Sequence, residues 1–369
     1  MAIFGTDYTG TGKPTDPYIP LTCDGLIYCL DSVTYEDAST TEQTDITVKI
    51  TQDINFTLDE NYRNFLPSHL GLRVRCNKVY GDPDFISTNG RLPKINGLKN
   101  IQTSAPSPSS QRPACVIFFS TTDLAGTTTR EINIEIENIN FSNIVFDQAS
   151  YSGSVFRVSA TSAPSLNKIV KLDFNNCIFT VLTQASHYIP QLFNFPYYSG
   201  TNVTDKITFN YCSIFLQNCY TSQSLSITSN EYSSFNGTYN NCSIQVENLA
   251  MYPLSSSGSS AYTFGNMNYC LIFGNVVPIP FNSSYTLLPL TKMNHCVLAL
   301  TDKKNTTSSI RIRTYNTSSS QGTCSGCVSQ DDSSISGNIP ISGSPIGLTG
   351  LTLSQIKDET ELINAGVIP

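Results

Sequence analysis

Two carboxylates, Glu135 and Asp173, carry the strongest case for chemistry in this sequence of 369 residues. Each lies four residues before a corner anchor, Ile139 or Cys177, in consecutive sequence repeats. Stacked on neighbouring rungs and facing outward, they would supply the pair of carboxyl groups that a glycosidase requires. Like charges held that close raise one pKa, as a general acid needs. The competing reading is two exposed acids relieved by Lys171 or by water. The equivalent positions on later repeats are Thr208 and Thr238, so no acidic groove continues, and Asp205, Glu231, Glu247 and Asp302 share no register. His69, His187 and His295 are isolated, and no basic residue stands beside a carboxylate cluster as a lyase would want. Cys324-Ser325-Gly326-Cys327 is a lone CxxC, whereas a structural zinc site needs four ligands. Neither metal nor cofactor is expected, and the balance falls against an enzyme.

The elements that would position these groups are marked by a recurring Asn-x-Cys-x-apolar pattern. It occurs at Asn175–Cys177, Asn210–Cys212, Asn240–Cys242, Asn268–Cys270 and Asn294–Cys296. The cysteines are spaced 35, 30, 28 and 26 residues apart, and Cys324 follows 28 residues later. Before each Asn, apolar residues alternate with polar ones, as in Leu172 and Phe174 or Ile207 and Phe209. After it the phase slips by one, giving Cys177 and Phe179, or Cys212, Ile214 and Leu216. Period-two alternation is a strand with one buried face, and a slip of one residue is a corner that keeps the apolar side inward. Asn tolerates the left-handed conformation that such a corner needs, so it is the expected corner residue. Ile134 and Ile136, a slip at Glu137, then Ile139 and Phe141 repeat the geometry without the motif.

Strand, corner and strand repeated at this period describe stacked rungs, with like residues about 4.8 Å apart along the axis. The asparagines would then form a hydrogen-bonded ladder and the cysteines an inward column of small hydrophobic groups. The alternative for the cysteines is disulfides between rungs, because stacked Cα atoms sit near bonding distance. The fold class expected is all-β: a right-handed parallel β-helix with short capping helices at both ends. Residues 1–45 form the N-terminal cap, 46–330 the helix, and 331–369 the C-terminal tail and cap. Thr22 is the expected N-cap of a helix through Leu30, and Ser354–Ile363 reads as a helix ended near Gly366.

Composition limits the partners. Charged residues are 13% and the net charge is −7, with no basic cluster larger than Lys303-Lys304, so nucleic acid is not expected. No run of 18 apolar residues offers a membrane span, and Met1–Asp7 lacks the basic and apolar regions of a signal peptide. In the rung geometry Asn176, Tyr211, Asn241, Tyr269 and His295 point outward, as do Ile178, Ser213, Ser243, Leu271 and Val297. Tyr269, Leu271, His295 and Val297 then make a partly apolar patch, read first as an interface. Sugar stacking on Tyr211 and Tyr269 is the second reading, and a loop folded over this face, such as 105–113 or 255–260, the third.

Both ends of the chain carry a resemblance. Gly10-Thr11-Gly12-Lys13-Pro14-Thr15-Asp16-Pro17-Tyr18-Ile19 resembles the GTG-x-x-x-DPY-apolar opening of β-helix adhesins and phage fibre proteins. Val79-Tyr80-Gly81-Asp82 and Lys94-Ile95-Asn96-Gly97-Leu98 are similar to their early rungs. Leu351-Thr352-Leu353-Ser354-Gln355-Ile356-Lys357-Asp358 resembles their L-(S/T)-x-x-Q-(L/M)-K-D tail, with Ile356 the one departure. The resemblance implies a structural or adhesive subunit of a phage virion, a tail or head fibre or a decoration protein. It also implies a homotrimer, other virion proteins as neighbours, and host-surface glycan as target. Assembly would take place in the host cytoplasm, since no export signal is read. The alternatives are a tailspike-like polysaccharide hydrolase or lyase using Glu135 and Asp173, and a bacterial surface adhesin.

Overall fold

The computed structural model describes residues 2–32, 45–56, 72–98, 115–120, 130–146, 153–159, 168–183, 190–194, 206–217, 236–251, 266–278, 286–290, 292–302, 310–314, 316–317, 320–321, 323–336, 338–339 and 347–368. Alternating segments that precede the corners form one nine-stranded parallel sheet. Its strands run in chain order: Thr47–Ile50, Lys78–Gly81, Arg130–Glu137, Lys168–Asn175, Lys206–Asn210, Asn236–Asn240, Asn266–Asn268, Lys292–Asn294 and Thr323–Ser325. The segments after the corners form a ten-stranded parallel sheet. It begins at Ile54–Asn55 and Lys94–Asn96, then takes Asn140–Phe146, Ile178–Thr183, Ser213–Gln217, Ser243–Met251, Leu271–Pro278, Val297–Asp302, Cys327–Gln330 and Leu348–Leu351. A third parallel sheet joins Leu72–Val74, Cys115–Ser120, Gly153–Ser159 and Pro190–Asn194, and Thr286–Leu290 pairs with Ile310–Thr314. Each strand of the two long sheets thus bonds to its equivalents one repeat before and after it, not to its own corner partner. The chain is an all-β stack of parallel strands, compatible with a solenoid.

Register follows the alternation residue for residue. Leu172 and Phe174 lie against Ile134 and Ile136 on one side and against Ile207 and Phe209 on the other. All are buried, while the intervening Glu135, Asp173 and Thr208 are not. Like rings therefore stack. Phe174 and Phe209 have centroids 4.9 Å apart with planes 9° apart, and Phe209 and Tyr239 are 4.8 Å and 2° apart. Phe179 meets Phe174 edge-on at 5.5 Å across the interior. Burying each such ring contributes roughly 1.5–3 kcal/mol, and the offset and edge contacts add to it.

Both ends carry caps. Helix α1 (Cys23–Asp31) starts at Thr22, whose Oγ1 accepts from the Gly25 amide at 3.1 Å, and it buries Leu26, Ile27, Cys29 and Leu30. Asp31 at its end binds Arg75 of the third-sheet side at 2.7 Å and also holds Arg73. Tyr18 covers the open edge of the first strand: its amide donates to Thr47 O at 2.9 Å and its carbonyl accepts from Lys49 at 2.8 Å. Helix α2 (Pro83–Asn89) is inserted at a corner between Lys78–Gly81 and Lys94–Asn96.

At the other end the single helix expected over Ser354–Ile363 is two. Helix α3 (Leu353–Ile356) carries a Thr352/Gln355 capping box, and α4 (Glu359–Asn364) starts anew at Asp358. Asp358 leaves the helical region (φ −99°, ψ 118°) so that its carboxylate accepts from the Thr360 and Glu361 amides. Gly366 (φ 75°) closes α4 with a Schellman pair, its own amide reaching Ile363 O and that of Val367 reaching Leu362 O, both at 2.9 Å. Ile356, Leu362 and Val367 then pack with Val297, Val328 and Leu351.

Candidate functional site

The corners are built on the residue after the asparagine, which corrects the expectation that Asn itself takes the left-handed conformation. Asn138, Asn176, Tyr211, Asn241, Tyr269 and His295 have φ between 50° and 58°, and Gly326 has φ 58° at the same place in the next rung. Each left-handed residue donates its amide to the next rung: Asn176 to Asn210 O (2.8 Å), Tyr211 to Asn240 O and Tyr269 to Asn294 O (both 2.9 Å). Two residues on, the amide turns to the preceding rung, as from Ser213 to Cys177 O and Leu271 to Cys242 O (both 2.9 Å). Backbone bonding therefore runs through the corner except at the cysteine amide, which at Cys270 donates to Cys296 Sγ at 3.5 Å.

The freed asparagine side chains form a one-way ladder. Nδ2 of Asn210, Asn240, Asn268 and Asn294 donates to Oδ1 of Asn175, Asn210, Asn240 and Asn268, at 2.8–2.9 Å. At its foot Asn175 donates to Glu135 Oε1 at 3.3 Å. The other oxygen of Glu135 accepts from Lys78 Nζ at 3.2 Å, and Lys78 also meets Glu137 at 2.9 Å. Burial favours the neutral amine of Lys78, but its bonds to Glu137 and Glu135 outweigh this and raise its pKa.

The cysteines line the inside of the same corners. Each thiol of the column bonds to the carbonyl two residues back, for example Cys212 to Asn210 O at 3.3 Å and Cys296 to Asn294 O at 3.2 Å. A second contact reaches the neighbouring rung, as from Cys242 to Phe209 O at 3.4 Å. Cysteine suits the site because it is small and apolar yet offers a weak donor to a carbonyl left inside a corner. The column continues at Cys327, not Cys324. Met293 lies in register with Cys324, and Cys327 Sγ bonds to Met293 O at 3.3 Å. Ser325-Gly326-Cys327 is thus the last corner, with Ser and Gly in place of Asn and x. The described cysteines, Cys177, Cys212, Cys242, Cys270 and Cys296 included, are free thiols. Cys212 is pushed up to about 12, first by the bond it shares with Cys177 and also by burial. Cys212 is therefore protonated and a poor nucleophile at neutral pH.

Glu135 and Asp173 do stand side by side, as directly paired residues of adjacent strands. Glu135, however, is engaged by Lys78 and Asn175, both fixed parts of the rung architecture. Among the described residues no group of three His, Cys, Asp or Glu side chains is arranged to hold a metal ion. Asp205, Glu231, His69, His187 and the loops 105–113 and 255–260 lie outside the described residues.

The outward patch divides in two. Tyr211 is 68% exposed, Tyr269 51% and Leu271 40%. His295 and Val297 are half-buried instead: His295 Nδ1 bonds to Gly366 O at 2.7 Å, and Val297 packs with the C-terminal cap. Tyr269 stacks on the His295 ring at 4.8 Å and 8°. What sequence reasoning missed is the strain at Tyr211 and Tyr269, because it placed the left-handed residue one position too early. A bulky side chain in that conformation costs roughly 1–2 kcal/mol that Asn largely avoids. In the motif Asn-Tyr-Cys alternates with Asn-Asn-Cys, so the ring recurs on every second rung of this stretch.

No helix among the described residues is long and apolar enough to cross a membrane. Compared with protein-family models, curated proteins and solved structures, the chain has no match.

Proposed function

We propose that the strand columns close into a right-handed parallel β-helix and that the protein is a non-catalytic structural and adhesive subunit of a phage virion. In this reading it is a tail or head fibre or a decoration protein, trimeric, set among other virion proteins and directed at host-surface glycan. Right-handedness is the rule for connections between parallel strands of one sheet. The observation that carries the reading is the fate of the polar corner groups. Amides, thiols and the Glu135 carboxylate are bonded from rung to rung, so they hold a continuous stack together and leave little for catalysis. Of the apolar outward patch, Leu271 stays 40% exposed and favours contact with another copy.

The experiment has two arms. Light scattering on the purified chain should give three times 40.4 kDa, and a monomer would remove the trimer. Incubation with bacterial surface polysaccharide should release no reducing ends. Release that disappears in Glu135→Gln would overturn the non-catalytic reading in favour of a tailspike-like hydrolase.

A further inference from the structure

We infer that Tyr211, Asn241 and Tyr269 form a ridge that binds a neutral glycan, laid along the stacking direction against the exposed parts of the tyrosine side chains. The inference rests on the adhesive reading above and adds the ligand class and the residues.

Strain is the first observation. Tyr211 and Tyr269 hold φ of 54° and 53° at corner positions where Asn138, Asn176 and Asn241 serve equally well for the backbone. The substitution of a ring for an amide gains no core packing at Tyr211, whose side chain is exposed and has no ring neighbour among the described residues. Backbone strain kept where the fold has an easier alternative points to use of the side chain. The case differs at His295, whose ring is tied to Gly366 O and so serves the cap. Tyr269 stacks on that ring while staying 51% exposed, so the strain argument is carried by Tyr211.

Spacing and polarity choose the ligand. Rungs are about 4.8 Å apart, so the two tyrosines stand roughly 9.6 Å apart with the exposed Asn241 between them. A protein hot spot is a contiguous apolar cluster enclosed by a rim. Here the rings are separated by an amide, a pattern matching ligands with apolar ring faces and polar edges in regular succession. The register positions beside the ridge are Thr208, Thr238 and Asn266 on one strand and Ser213, Ser243 and Leu271 on the other. None is charged. Among these described positions a uronic or sialic acid would find no cation, the nearest in the same sheet being Lys206 and Lys292, so the ligand class is a neutral hexose or N-acetylhexosamine chain.

The test applies the full chain to an array of neutral and acidic oligosaccharides, as wild type, Tyr211→Ala, Tyr211→Asn and Tyr269→Ala, with thermal melting alongside. The expected result is neutral-glycan binding weakened at least about tenfold in each variant. Tyr211→Asn should melt no lower than wild type, because Asn relieves the corner strain. Binding to neutral glycan that survives both Tyr211 changes would overturn the ridge and leave the adhesive reading standing. So would binding confined to acidic glycans. A Tyr211→Asn protein that melts lower would assign the ring to folding and overturn the inference. A wild-type chain that binds no glycan would sink the adhesive reading together with it.

Discussion

Replacing Asn240 by alanine removes a link from the middle of the amide ladder. Its Nδ2 donates to Asn210 at 2.9 Å and its Oδ1 accepts from Asn268 at 2.8 Å, so two hydrogen bonds are lost. At about 1 kcal/mol net for each, with two half-buried amides left short of a partner, the expected loss is about 2–3 kcal/mol. Asn240→Asp keeps the shape and isolates the donor. The ionised carboxylate of that variant still accepts from Asn268 but cannot donate to Asn210 Oδ1, and the two oxygens repel. The folded state therefore favours the protonated acid, and its pKa rises above the unfolded value near 3.9. A raised folded pKa gives stability that is present below the unfolded value and lost as pH rises through the folded one. Urea denaturation followed by far-UV circular dichroism should thus show the aspartate variant close to wild type near pH 3 and clearly weaker at pH 7. The comparison needs slopes as well as midpoints, since stacked repeats unfold with only neighbour coupling. An alanine variant within about 0.5 kcal/mol of wild type would refute the ladder as a source of stability. So would a wild-type-to-aspartate gap that does not change with pH.

Three further outcomes follow from other parts of the stack. Phe209→Ala opens a hole between Phe174 and Tyr239 and should cost about 3–5 kcal/mol in the same urea assay; a loss of under about 1 kcal/mol would show that the rings are not close-packed. Burial pushes the Cys29 thiol up to about 12, so the folded state keeps a proton that the unfolded chain releases near pH 8.5. Stability should be full below that pH and fall by up to about 1.4 kcal/mol per pH unit above it; an unchanged alkaline slope in Cys29→Ala would rule out this source. His295→Ala removes the 2.7 Å bond to Gly366 O and the support under Tyr269, so trypsin should cut at the exposed Lys357 several-fold faster; equal cleavage rates would detach the C-terminal cap from this histidine.

The strands, the corners and their order were legible because alternation and its slip are set by which side of the backbone faces the interior. Leu172, Phe174, Cys177 and Phe179 could occupy no other faces once one of them was inward. The left-handed position was not legible, since Asn175-Asn176 and Asn240-Asn241 each offer two residues suited to it. Only the ladder decides, by requiring the first amide of each pair to point along the stack. The last corner was misread for a related reason. Ser325 and Gly326 supply the same backbone shape as Asn and x, so the motif vanishes there while the geometry continues. The third sheet went unseen because Leu72–Val74 and Gly153–Ser159 carry no shared motif and follow connections of unequal length. Of the outward face, composition identified the aromatic positions, but the shielding of His295 and Val297 depends on a segment more than fifty residues away in sequence.

The amide ladder has a direction, and it matches the order in which a chain is made. Every asparagine donates towards the N-terminus, down to Glu135, whose partner Lys78 comes earlier still. A rung leaving the ribosome therefore meets an acceptor already fixed in space and presents a fresh one to its successor. Synthesis can lay the rungs down like courses of brick, each set by the one below.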